Sequence, residues 1–115
     1  MIHLTHETVI QLALQPLDFR KGMDGVAAVC REQLQQDPRS GQLFVFFNRS
    51  RTMIRVLVYE GKGFWLMSKR LSRGRFPRIS STQSPLSRIA SRDLRQLLSG
   101  HLPMTLQAPR NRLND

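Results

Sequence analysis

Leu43-Phe44-Val45-Phe46-Phe47, Asn48-Arg49-Ser50-Arg51-Thr52, Met53-Ile54-Arg55-Val56-Leu57-Val58-Tyr59, Glu60-Gly61-Lys62-Gly63 and Phe64-Trp65-Leu66-Met67-Ser68-Lys69-Arg70-Leu71 follow one another without a gap, and this stretch decides the fold. The first segment is apolar throughout, as in a strand buried on both faces. In the third, Ile54, Val56 and Val58 alternate with Met53, Arg55, Leu57 and Tyr59, the period-two pattern of a pleated strand. The segments between are short and polar, and Gly61 and Gly63 supply the positive φ that tight turns demand. Three strands joined by such turns make an antiparallel meander.

Upstream, Val9-Ile10-Gln11-Leu12-Ala13-Leu14 reads as a further strand ended by Gln15-Pro16, since the residue before a proline is pushed out of the helical region. Met23, Val26, Ala27, Cys30 and Leu34 then fall at the spacing of one apolar helical face, with Arg31, Glu32, Gln33, Gln35 and Gln36 opposite. Asp24 sits in the first turn, where a negative charge meets the positive end of the helix. Asp37-Pro38-Arg39-Ser40-Gly41 stops that helix. Downstream, Ser72 to Arg78 is basic and broken by Gly74 and Pro77, and Ser80 to Pro85 has a linker's composition. Leu86 to Ala90 makes a short strand, and Ser91 caps a last helix, Arg92 to Leu98, closed by Gly100. The expected fold is α+β: an antiparallel β-meander covered by one main helix, with a short C-terminal helix. One domain spans residues 1–102, and residues 103–115 form a flexible basic tail.

Charge is the informative bulk property. The 115 residues carry 18 Lys+Arg against 8 Asp+Glu, a formal net charge of +10. Lys21, Lys62 and Lys69 are the lysines and all the other cations are arginines, the side chain whose planar fork pairs two ways with phosphate and stacks on bases. From Arg49 to Arg78 there are nine basic residues against one acid, Glu60, a concentration that points to nucleic acid more than to a merely solvated face. No apolar run reaches the roughly 18 residues a membrane helix needs, and Met1 to Glu7 lacks the pattern of a secretory signal. A lone cysteine, Cys30, rules out an internal disulfide and suits a reducing compartment. A cytoplasmic protein with no membrane partner is expected.

Catalysis finds little support. His3, His6 and His101 with Cys30 form no familiar ligand spacing, so no metal and no cofactor are expected. Phosphodiester cleavage needs carboxylates converging on divalent cations, but Asp24 and Asp93 sit in first turns, Asp37 in a stop, Glu32 on a polar face and Glu60 in a turn. Asp18 fits capping or pairing with Arg20. Cys30, on an apolar helical face, is an ordinary buried thiol, and Gly61-Lys62-Gly63 is a hairpin turn, not a phosphate loop. Adjacent strand residues point to opposite faces, so Phe64 and Trp65 cannot share one core. One of them needs a second helix, a partner chain or a ligand.

The same segments carry a family pattern. Pro16-Leu17-Asp18-Phe19-Arg20-Lys21-Gly22-Met23-Asp24-Gly25 comes first. Asp37-Pro38-Arg39-Ser40-Gly41-Gln42-Leu43-Phe44-Val45-Phe46 with Asn48-Arg49 is the second, and Gly63-Phe64-Trp65-Leu66, Lys69-Arg70-Leu71 and Gly74-Arg75-Phe76 the third. In order and spacing the chain resembles the TnpB accessory proteins of insertion-sequence family sixty-six, which are unrelated to the longer RNA-guided nucleases of that name. The resemblance implies a helper of transposition whose element encodes a separate, larger transposase bearing the catalytic acids. The chain departs from the pattern at Glu60, Ser72 and Pro77-Arg78, the last two making it more basic.

Two functions are carried forward. The first is a non-catalytic accessory protein that binds DNA through a basic hairpin face. Arg49, Arg51, Arg55, Lys69, Arg70, Arg73 and Arg75 would hold the phosphates, and Trp65 is available for stacking or a partner contact. The second is an adaptor that docks on the transposase through Asp18, Phe19, Arg20 and Lys21, with DNA contact secondary. The basic hairpins and the leftover aromatic permit a homodimer without requiring one.

Overall fold

A computed structural model of the chain describes residues 4–79 and 84–106. The linker expected at Ser80–Pro85, the N-terminal His3 and most of the expected tail therefore lie wholly or partly outside the described residues. Five strands and two α-helices follow in the order β1 (Ile10–Ala13), α1 (Met23–Glu32), β2 (Leu43–Phe47), β3 (Met53–Glu60), β4 (Gly63–Arg70), β5 (Leu86–Ile89) and α2 (Ser91–Leu98), and a 3-10 turn occupies Met104–Leu106. The strands form a single sheet in the order β4-β3-β2-β1-β5.

The meander of β2, β3 and β4 is antiparallel as expected, with Val45 opposite Val56 and Leu57 opposite Leu66. The sheet as a whole is not. β1 lies parallel to β2, with Ile10 opposite Leu43, and β5 closes the far edge antiparallel to β1. The sheet is thus mixed, a correction to the purely antiparallel meander. The reason is the connection: α1 carries the chain back past the sheet, so β2 starts at the end where β1 started, and strands joined by such a crossover must run parallel. Local pattern cannot reveal this, because β1 reads the same whichever neighbour it pairs with.

The covering helix is also only half of the arrangement. On one face of the sheet, Phe44, Phe46 and Leu57 pack with Val26, Ala27, Val29 and Cys30 of α1. On the other, Leu12, Val45, Ile54, Val56 and Ile89 pack with Leu94 and Leu97 of α2 and with Phe76. Each face has its own helix, so every residue of the middle strand β2 is buried, at about 1.5–3 kcal/mol for each large apolar side chain removed from water. Met23, assigned to the apolar face of α1, is instead 37% exposed.

Helix α2 begins one residue earlier than expected, and Ser91 does not cap it. The cap position is Ala90, whose backbone N–H donates to the Asp93 carboxylate at 2.9 Å. The Ser91 hydroxyl, buried, donates to the carbonyl of Thr5 and ties the N-terminal segment to the helix. Beyond α2 the chain stays attached to the domain for a few residues: Pro103 is buried and Leu106 packs on the α2-side core. Both residues fall within the segment expected as tail from 103, Met104 between them is exposed, and residues 107–115 lie outside the described set.

Candidate nucleic-acid interface

Segments far apart in sequence meet at one end of the sheet. β1 and β2 both finish there, at Ala13 and Phe47, the β2–β3 turn carries Arg49 and Arg51, and β4 arrives with Arg70 opposite Met53. The loop that follows is fastened at both ends to that turn. The Leu71 N–H donates to the Thr52 carbonyl at 3.0 Å, and the Phe76 N–H to the Arg51 carbonyl at 2.6 Å. Between those two anchors lie Arg73 and Arg75, both exposed. The anchor is apolar as well: Phe76 is 1% exposed and its ring stands 5.6 Å from that of Phe47.

The turn itself is rigidly built. Asn48 accepts from the N–H groups of Thr52 (2.9 Å) and Met53 (3.1 Å) and donates to the Thr52 hydroxyl. Arg51 takes the left-handed conformation (φ 58°), uncommon for a residue with a side chain. Its Nε donates to the Phe76 carbonyl at 3.2 Å. Arg51 thus both fastens the basic loop and adds charge to it.

The sequence-assigned basic residues divide into two groups. Arg49, Arg70, Arg73 and Arg75 are exposed at this end, and half-buried Arg51 and exposed Arg78 join them beside the ends of β1 and β2. Half-buried Arg55 and exposed Lys69 are instead engaged by partners within the protein. The Arg55 guanidinium lies 4.4 Å from the centre of the Phe19 ring and donates to the carbonyls of Phe19 (2.9 Å) and Lys21 (3.3 Å) and to the Ser68 hydroxyl (2.7 Å). Lys69 Nζ donates to the Leu98 carbonyl at 2.6 Å, meeting the negative end of α2. Among the acids near this end, Asp18 is held by Arg20 at 2.8 Å. Hydrogen bonds from the Arg20 side chain and backbone hold the Asp18 carboxyl well below the usual carboxylate range.

The opposite end has a different character. Glu7 and Glu60 line a shallow hollow there with Ser40, Gln42 and Tyr59. Cations are present there too, Lys62 in the β3–β4 turn and Arg39 at 5.8 Å from the Tyr59 ring centre, but beside acids, so the surplus of positive charge lies at the first end, which neither composition nor spacing could state. Of the residues at the basic end, sequence reasoning did not place Arg78. The available signal was Phe76, an aromatic residue inside a polar, glycine-broken loop.

Trp65 remains 47% exposed on the α2 side of β4, two residues from Met67, 39% exposed. Phe64 faces the other side, packed edge-on against Tyr59 at 5.0 Å. The expectation that the pair splits between faces is met, and Trp65 is the one left with water.

Chemistry beyond binding has few candidates. Among the described residues no group of three or more His, Cys, Asp or Glu could hold a metal ion, and no helix is long and apolar enough to cross a membrane. Cys30 is fully buried, and desolvation pushes its thiol up to about 12.

Fold and site together define a small α+β domain with one cationic end. The chain belongs to the family described as IS66 Orf2 like protein, whose model matches residues 8–108. Membership makes it a transposition-related accessory protein of an insertion sequence, in a family not known for catalysis. Two uncharacterized proteins of Sinorhizobium fredii are similar to it. The protein y4hO is 36% identical over 91 residues, 79% of this chain and 78% of its own length. The protein y4jC is 39% identical over 67 residues, 58% of this chain and 57% of its own length. The chain thus spans little more than half of the latter. No solved structure matches.

Proposed function

We propose that the protein is a non-catalytic helper of transposition that binds DNA, in the cytoplasm, with the cationic end of its sheet. The observation that supports this reading most is the convergence of Arg49, Arg51, Arg70, Arg73, Arg75 and Arg78 on one end through the docking of Phe76. Arginines held on an anchored turn and loop lose little further freedom on meeting phosphate, and their forks suit its oxygens. Arg55 and Lys69, the other two basic residues of the hairpin face, add charge nearby while fastening elements together.

The test is binding of purified protein to labelled transposon-end DNA and a scrambled control across a salt series. On duplex DNA each phosphate contact adds just under one unit of log–log slope. Replacing Arg70, Arg73 and Arg75 together by Gln should therefore flatten the slope by about 2.7. Unchanged slope and affinity in that variant would remove the basic loop from the interface.

A second reading, an adaptor for the transposase with DNA contact secondary, draws support from one surface. Trp65 and Met67 stand exposed on the edge strand β4, beside an apolar hollow lined by Ile54, Val56, Leu94 and Leu98. The Asp18–Lys21 segment suits that role less, because its ion pair and the Phe19–Arg55 contact satisfy it internally. Co-purification with the transposase after nuclease treatment, lost in Trp65→Asp, is the outcome this reading requires.

A further inference from the structure

The cationic end is not flat. Apolar residues, chiefly Leu14, Pro16, Pro77 and Ile79, line a depression of about 110 Å³ together with Gln15, Asn48 and the arginines Arg49, Arg51 and Arg78. A single water needs roughly 10–15 Å³ on the same measure, so the hollow has room for a group with the volume of several waters. No Asp or Glu lines it. Its position is set by tertiary structure: Pro77 to Ile79 reach the ends of β1 and β2 because Phe76 is docked in the α2-side core and bonded to Arg51.

An apolar floor with three guanidiniums around it asks for a ligand with two parts. One part is flat and weakly hydrated, to cover proline, leucine and isoleucine surface. The other is anionic and rich in acceptors, because guanidinium groups only donate. A stacked, paired duplex presents its phosphates outward and keeps its ring faces covered. An unpaired nucleotide presents both parts at once, and stacking of an exposed base on an aromatic ring or a guanidinium plane, here the arginines, is a usual basis of single-strand recognition. Arg49 and Pro16 also line the neighbouring hollow with Ser50 and the paired Asp18 and Arg20, so a strand leaving the first depression meets Arg49 beside that ion pair.

The geometry points to this depression as a binding site for one unpaired nucleotide of a DNA strand. The base sits on Leu14, Pro16, Pro77 and Ile79, and the flanking phosphates lie on Arg49, Arg51 and Arg78. This rests on the DNA-binding reading and refines it: the protein prefers DNA with a single-stranded or splayed end to a blunt duplex.

The experiment compares three fluorescein-labelled DNAs by anisotropy at one salt concentration. They are a duplex with a four-nucleotide overhang, the same overhang with abasic sugars, and a blunt duplex matched in total phosphates. The overhang should bind at least about fivefold tighter than the other two, the lower end of what one stacked base contributes. A 2-aminopurine in the overhang should change its fluorescence on binding, and Ile79→Glu, which sets a carboxylate in the floor, should abolish that change. Equal, salt-sensitive affinity for all three DNAs would overturn the inference and leave the DNA-binding reading standing. Equal affinity for normal and abasic overhangs would overturn it in the same way, leaving phosphate contacts alone. Binding to none would remove both. Displacement of the overhang by 1 mM of a free deoxynucleoside monophosphate would reassign the hollow to a soluble nucleotide and overturn the strand proposal.

Discussion

Replacing Arg55 by Met separates a fastening from a DNA contact, because the two roles predict different measurements. The side chain lies across from Ser68 on β4 and reaches over to the segment that leads into α1. It loses a charged hydrogen bond to the Phe19 carbonyl at 2.9 Å, a longer one to Lys21 at 3.3 Å, one to the Ser68 hydroxyl at 2.7 Å, and the contact with the Phe19 ring at 4.4 Å. Bonds from charged groups are worth about 1.5–3 kcal/mol each where water is excluded. Arg55 is only half-buried, so water re-solvates much of what is lost. The cation–π contact contributes roughly 0.5–1 kcal/mol at such a site. The methionine keeps the aliphatic packing, leaving a net loss of about 2–3 kcal/mol. For a domain of this size that lowers the Tm by about 10 °C, readable by circular dichroism, while the salt slope of DNA binding stays within about half a unit of the parent. Arg55→Lys should recover only part of the loss, since an ammonium cannot reproduce the planar fork. An unchanged Tm with a slope reduced by about 0.9 would refute the fastening and make Arg55 a phosphate ligand.

Phe76→Ala should cost about 3–5 kcal/mol, as for other large-to-small changes in a packed core, and shift the urea midpoint accordingly, whereas Phe76→Leu should cost far less. A small loss for the alanine variant would mean that the basic loop is not anchored as described. Cys30 should resist a thiol reagent such as Ellman's in the native state and react fully in denaturant, because it is buried and stays protonated. Its folded value, about 12, lies above the ordinary 9.0, so between these the native state holds a proton that the unfolded chain has released. Stability therefore falls as pH rises through that window, by at most about 1.4 kcal/mol per pH unit from this group. The pH-stability curve of Cys30→Ala should be flatter there by that difference, and identical curves would contradict it.

Much was settled along the chain by local chemistry. The apolar run at 43–47, the alternation from 53 to 59 and the glycines at 61 and 63 specify three strands and their antiparallel order, because short turns leave no other pairing. The 3-4-3-4 spacing from Met23 to Leu34 specifies a helix, although α1 ends at Glu32, two residues short of Leu34, and the arginine surplus between 49 and 78 is legible as charge. The motif order from Pro16 to Phe76 was enough to suggest the family that the match over residues 8–108 then showed.

Tertiary structure decided what depends on contacts between distant segments. The parallel pairing of β1 with β2 and the second helix on the opposite face follow from where the crossover returns the chain. The division of the basic residues also does: Arg55 and Lys69 find carbonyls across the fold, while Arg49, Arg73 and Arg75 are exposed to water. Phe76 looks in sequence like one more residue of a solvated loop. Once inserted beside Phe47, it brings Arg78 next to Arg49 and Arg51 and makes a hollow where the sequence shows only charge. Charge is additive along a chain and can be counted there. A concave surface exists only where packing brings its walls together.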